Sequence, residues 1–268
     1  WQPDPIELSK WRGERVSIKK VAVLLDGSSY ADQALPMAEM VCKTTGALMV
    51  LLSSVKDKTQ QQRDEFEEVK QQRTAHLAKV SSELTSKGIA VKTVIKAGGI
   101  SYSTRDLVNE EGIDLVITTT RGKSGSKHWE RHGASHKLVR NIEVPVLLVQ
   151  NADEVDVPMP KLENILVALD GSINSEHVLP YARAFADAFE SKLTLLTVPE
   201  VPDNKKYRAA SDVLSSIRQK AVDNMHNFLD AVARSLKDDG LDVEVVTRGS
   251  RASTTIVEQS DRPPTDMI

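Results

Sequence analysis

The chain has 268 residues, enough for two domains that each bury a core of their own. Its 35 basic and 38 acidic side chains nearly cancel, which excludes the global positive field of a protein that binds nucleic acid or anionic membrane. A single cysteine, Cys42, excludes an internal disulfide, and apolar runs such as Ala47–Leu52 are far too short to cross a bilayer.

Residues 1–19 are polar, with Trp1, Pro3, Pro5 and Trp11, and read as a leader segment without a signal-peptide pattern. A reducing, cytoplasmic setting is expected. Val21–Asp26 is the first strand: five apolar residues run without a polar break and stop at Asp26-Gly27-Ser28, as a strand buried on both faces does before a turn. A helix is predicted from about Tyr30 to Thr45, where Ala31, Ala34, Leu35, Ala38 and Val41 recur at three- and four-residue spacing, and Gly46 closes it. Cys42 lies on its apolar face as a small core residue.

A second buried strand, Leu48–Val55, leads through the charged run Lys56–Lys70 into a long, mostly solvated helix ending near Lys87, with Gly88 as its stop. Strand three is Ala90–Lys96, a short helix covers about Ser103–Glu111, and strand four runs from Asp114 to about Thr119. After the loop Thr120–His132 come a helix and a fifth strand, Val144–Val149. Strand alternating with helix is the pattern of a parallel sheet covered on both faces. Pro158 and Pro160 mark a segment without apolar period, so residues 20–150 form a first domain, 151–161 a linker and 162–268 a second domain. Further strands are expected at Ile165–Asp170, Leu193–Val198 and Val243–Thr247.

The second domain repeats the first. Asp26 and Asp170, Ser28 and Ser172, Pro36 and Pro180, and Leu52 and Leu196 each stand 144 residues apart. Later, Gly88 and Gly240, Val91 and Val243, and Asp114 and Asp266 stand 152 apart, so about eight residues are inserted in the second copy, placed in Pro199–Asp212. Asp266-Met267-Ile268 matches Asp114-Leu115-Val116, where strand four begins, so the second copy is expected to lack its last strand and helix. The missing initiator methionine and an ending inside a strand suggest a piece of a longer chain.

Three features resemble the universal stress protein family in its tandem form: L-L-D-G-S followed by A-L-P-M-A, the strand A-L-M-V-L-L-S-S-V, and D-L-V-I-T-T-T-R-G-K-S-G before a helix and V-P-V-L-L-V. The resemblance implies two tandem Rossmann-like α/β domains of the adenine nucleotide hydrolase type, each a parallel sheet of order 3-2-1-4-5, the second truncated. It also implies a stress-response or regulatory role, frequent homodimers, and a branch that binds ATP, with magnesium, beside one that does not. The strand-one carboxylate near the ribose and phosphates maps to Asp26 and Asp170, and the position whose backbone meets adenine maps to Ser54 and Val198.

The binding branch carries G-x-x-G-x(9)-G-[S/T] before the last helix, whose glycines let backbone N–H groups approach phosphate oxygens at a helix N-terminus. Aligned from Pro145, its four positions are Thr119, Gly122, His132 and Gly133, so one of four matches; an insertion of one residue makes Gly133 the third glycine, with Ala134 at the hydroxyl position and Ser135 beside it. Arg121, Lys123, Ser124, Gly125, Ser126, Lys127 and Arg131 nevertheless fill the loop with anion ligands. Both readings stay open here: a phosphate site at Gly122, Lys123, Ser124, Gly125, Ser126, Gly133 and Ser135, built from loop cations, hydroxyls and glycine backbone, or a solvated basic loop. For Asp26 the alternatives are a ligand contact and an Asx-turn capping the next helix.

His128, His132 and His136 are spaced four apart, but no carboxylate or cysteine joins them at ligand spacing, and no metal site is assigned. The turn D-G-S-S-Y-A-D-Q is not a P-loop, and no Ser-His-Asp or Cys-His set stands out, so enzymatic turnover is not expected as the main role, with slow ATP hydrolysis left open at this point. The competing function is a nucleotide-free dimerisation and protein-interaction module working through sheet edges.

Overall fold

The computed structural model describes residues 16–56, 63–121, 134–152, 159–199, 211–249, 251–262 and 265–268. They fall into two compact units, Ser17–Pro160 and Lys161–Ile268.

In the first unit β1 (Lys20–Leu24), α1 (Ser29–Asp32), α2 (Leu35–Thr45), β2 (Leu48–Val55), α3 (Arg63–Ser86), β3 (Val91–Ala97), α4 (Ile100–Glu111), β4 (Leu115–Thr119), α5 (Ala134–Asn141) and β5 (Val146–Val149) follow in order. The strands make one parallel sheet of order β3-β2-β1-β4-β5. Its central strands are the continuous apolar runs of the sequence, buried on both faces: Val21–Leu24, Met49–Leu52 and Leu115–Ile117. On one face Ala22, Leu24, Val50, Leu52 and Val116 pack with Leu107 and Ile113 of the α4 region and Leu138 of α5. Each larger side chain contributes about 1.5–3 kcal/mol by leaving water. Long α3 is solvated along most of its surface, as its composition predicts, and turns one stripe inward that ends in buried Leu77, Val80 and Leu84.

Apolar spacing predicts one helix over Tyr30–Thr45, but the structure breaks it into α1 and α2 at Gln33-Ala34. Pro36 is the cause, since it lacks an N–H and in a continuous helix its ring would meet the carbonyl of Asp32. Proline is tolerated in the first turn of a new helix, where an N–H has no partner to lose. The break recurs at His177-Val178, ahead of Pro180. β1 also ends at Leu24, two residues earlier than predicted, so Asp26 stands in the turn.

The second unit contains β6 (Asn164–Ala168), α6 (Ile173–Glu176), α7 (Leu179–Phe189), β7 (Lys192–Thr197), α8 (Ser211–Asp238), β8 (Val243–Thr247) and α9 (Ala252–Ser260). β6, β7 and β8 form a smaller parallel sheet with β7 in the middle. The start of a fourth strand is docked on it. Met267 bridges Ile165 in parallel register, the counterpart of Leu115 beside Val21. Asp266 Oδ2 accepts from the N–H groups of Glu163 and Asn164 at 2.9 and 2.8 Å, as Asp114 Oδ2 accepts from Lys19 and Lys20 at 2.8 and 2.9 Å. The two offsets read from the sequence therefore hold bond for bond. Among the described residues no helix is long and apolar enough to cross a membrane.

Candidate functional site

Beyond β1 the chain turns through Gly27, whose φ of +70° is the left-handed conformation that glycine adopts without strain. Asp26 Oδ1 accepts from the Ser28 N–H at 3.0 Å and from the Ser28 hydroxyl, the Asx-turn of the two sequence alternatives. Ser28 Oγ in turn accepts from the Ala31 N–H at 3.2 Å and caps α1. The second unit repeats this at Asp170, Ser172 and Ser175, where hydrogen bonds from Ser172 and Ser175 hold the Asp170 carboxyl below the usual carboxylate range.

Above the first turn lies a cation that the linear sequence does not advertise. A side chain at position 27 would begin 2.0 Å from Nη1 of Arg73 on α3, so the guanidinium occupies the space that the glycine leaves open. One helical turn on, His76 Nε2 lies 3.0 Å from Asp32 Oδ1 at the end of α1. Burial pushes the Asp32 carboxyl up, against the pull of His76. The signal for both residues was periodicity: the inward stripe of α3 reads Phe66, Val69, Arg73, His76, Leu77, Val80, Leu84, and two of its members are polar. Elsewhere in the unit Cys42 is buried, with its thiol pushed up to about 12, as a core residue would be.

The exit of β4 approaches the same end of the sheet, because β1 and β4 pair in parallel with Val23 beside Ile117. Thr119 Oγ1 donates to the Arg121 carbonyl, and Asn151, just past β5, hydrogen-bonds both Arg121 and Tyr30. Composition assigns Asn151 to the linker, yet it is buried in the first unit, which continues through Ala152. Ser54 is half-buried near the end of β2, paired with Lys96 of β3.

Asp26 and Ser54 thus lie at the carboxyl ends of neighbouring strands. Gly122, Lys123, Ser124, Gly125, Ser126 and Gly133 lie outside the described residues, as do His128 and His132. Ser135 and His136 belong to the first turn of α5. Among the described residues no cluster of His, Cys, Asp and Glu is arranged to hold a metal ion.

Comparison with known proteins agrees with this architecture. The profile of the Universal stress protein family matches residues 17–150 and 161–268. The Universal stress protein YxiE of Bacillus subtilis is 25% identical over 145 residues, 49% of this chain and 98% of the relative. A universal stress protein from Archaeoglobus fulgidus superposes with a TM-score of 0.70 at 15% identity, covering 92% of this chain and 84% of that one. A functionally unknown protein from Pseudomonas aeruginosa PAO1 does so at 0.62 and 18%, covering 94% and 79%. At those identities the two structures speak for the fold alone. Because the family profile covers both repeats, the chain belongs to the universal stress protein family.

Proposed function

We propose that the first unit binds an adenine nucleotide across the carboxyl ends of β1, β2 and β4, and that the protein acts as a regulatory stress-response module without enzymatic turnover. One observation carries the reading. In the order β3-β2-β1-β4-β5 the connections change direction between β1 and β4, the crevice where open α/β sheets take ligands, and the Asp26 turn and the Thr119–Arg121 exit flank that point. In this proposal Asp26 faces the ribose or a bound magnesium ion, and the backbone at Ser54 meets the base. Gly122, Lys123, Ser124, Gly125, Ser126, Gly133 and Ser135 serve the phosphates, with Arg73 as an added cation.

Since the phosphate motif matches at one glycine, binding is expected in the micromolar range or weaker, supported by side-chain charge and sensitive to salt. Calorimetry of ATP, ADP and adenosine at two ionic strengths tests it. Affinity that rises with phosphate number and falls with salt is expected; no binding at millimolar ATP overturns the proposal.

A second reading, a cytoplasmic homodimer or interaction module, is favoured by β5. Its residues Val146, Leu147, Leu148 and Val149 are all only half-buried at the sheet edge. Light scattering should then show a dimer that Leu147→Lys dissociates. A monomeric wild type removes this reading.

A further inference from the structure

We propose that Asn151 is a positioning residue for the ligand site of the first unit, a single amide that fixes the exit of β4 against the helix following the strand-one turn. The inference rests on the nucleotide reading above.

Asn151 is 6% exposed. Its Oδ1 accepts from the Arg121 N–H at 2.7 Å and the Thr120 hydroxyl at 3.3 Å, while its Nδ2 donates to the Tyr30 carbonyl at 2.8 Å and to Gln33 Oε1 at 2.9 Å. The amide has one permitted orientation, because a backbone N–H can only donate and a backbone carbonyl can only accept. Gln33 is oriented by the same logic: Oε1 accepts from the Ala152 N–H at 3.0 Å and Nε2 donates to the Ala152 carbonyl at 3.1 Å. Neither side chain can turn to suit a changed partner without losing bonds to the backbone.

The sheet itself does not need this latch. β4 and β5 are paired from Val116 to Thr119, and the Thr120 N–H already donates to the Val149 carbonyl at 3.0 Å. What the amide adds is a tie between two connections, one leaving the Asp26 turn and one leaving β4. Groups held at their working separation before a ligand arrives lose less freedom on binding, which strengthens affinity without a direct contact.

Asn151→Asp keeps the size and the acceptor toward Arg121, but faces Tyr30 and Gln33 with an oxygen that cannot donate while ionised. In the full chain, ATP binding by calorimetry near pH 7.5 should weaken about tenfold or more. The loss should shrink near pH 5, where partial protonation restores a donor. Val41→Ala, a core change in α2, should lower the melting temperature and leave ATP affinity unchanged, separating positioning from stability. Equal ATP affinity in wild type and Asn151→Asp overturns the inference and leaves the nucleotide reading standing. If the wild type binds no ATP, that reading fails and amide exchange decides the latch. Exchange of the Arg121 N–H at least tenfold faster in Asn151→Asp supports it, because the bonds removed are those on the α1 side; an unchanged rate overturns it.

Discussion

The two repeats place the same backbone around different chemistry. Position for position, the inward stripe of α3 reads Arg73, His76, Leu77, Val80 and Leu84, while that of α8 reads Met225, Phe228, Leu229, Val232 and Leu236. The lower part of each stripe packs on its sheet and is apolar in both. Only the part level with the strand-one turn differs: Arg73 covers Gly27, whereas Met225 Sδ and Cε lie 3.0 Å from where a side chain on Gly171 would start. A part of the helix face that carries half-buried Arg and His in one copy and Met and Phe in the other is constrained by volume and position, and its chemistry is free to specialise.

Charge inverts in the same way. In the first unit Glu39 is nearly buried and receives Lys43 Nζ at 2.7 Å and Lys87 Nζ at 2.6 Å. In the second, the equivalents of Glu39 and Lys87 are Arg183 and Asp239, paired at 3.0 Å. Both copies thus join the first long helix to the end of the next by opposite charges, with reversed polarity.

Breaking that pair gives the largest expected effect. Glu39→Arg sets a cation against two lysines and should cost about 3 kcal/mol in urea unfolding, while adding Lys87→Asp should recover a large part. No recovery would show that the polarity is not interchangeable. The pair also predicts a pH dependence. Burial pushes the Glu39 carboxyl up, but the lysine hydrogen bonds outweigh it and leave its pKa below the ordinary value of 4.5. With the folded value below the unfolded one, the stabilisation is complete above pH 4.5 and is lost as pH falls through the lower folded value. Glu39→Gln should flatten that part of the acid unfolding curve.

Next comes the carboxylate that joins strand one to strand four. Asp114→Ala strands two backbone N–H groups and should cost about 2 kcal/mol in the first unit. Asp266→Ala should cost as much in the second if its short fourth segment is docked equally well. Amide exchange at Lys20 and Asn164 compares the two directly.

Exchanging the site chemistry sharpens the contrast in ligand binding. Arg73→Met with His76→Phe gives the first unit the stripe of the second, and ATP affinity should fall about tenfold, or about 1.4 kcal/mol, with little loss of melting temperature. Unchanged affinity would remove Arg73 from the proposed site.

The smallest effect is a backbone one. Glu190 closes α7 at φ 55°, ψ 36°, the left-handed conformation that Gly46 adopts at φ 71° after α2. A side chain there costs about 1 kcal/mol relative to glycine, so Glu190→Gly should stabilise the second unit by about that much in thermal unfolding.

Sequence alone determined the alternation of strands and helices, the duplication and its two offsets, because buried parallel strands are continuous apolar runs and a repeat preserves its turn residues, whereas the strand order 3-2-1-4-5 was implied by the family resemblance and is set by tertiary pairing. It also located Asp26 at a strand end, since Asp26 follows directly on an apolar run, whereas Ser54 was placed by the family resemblance. Tertiary structure decided what periodicity does not weigh. Pro36 broke the first helix because a missing N–H and a steric clash override apolar spacing. Arg73 and His76 were hidden inside a charged helix until packing showed which of its faces turns inward. Asn151 was hidden in a polar segment after β5, because its partners Tyr30 and Arg121 stand 121 and 30 residues away and only the closed sheet brings them within hydrogen-bond reach.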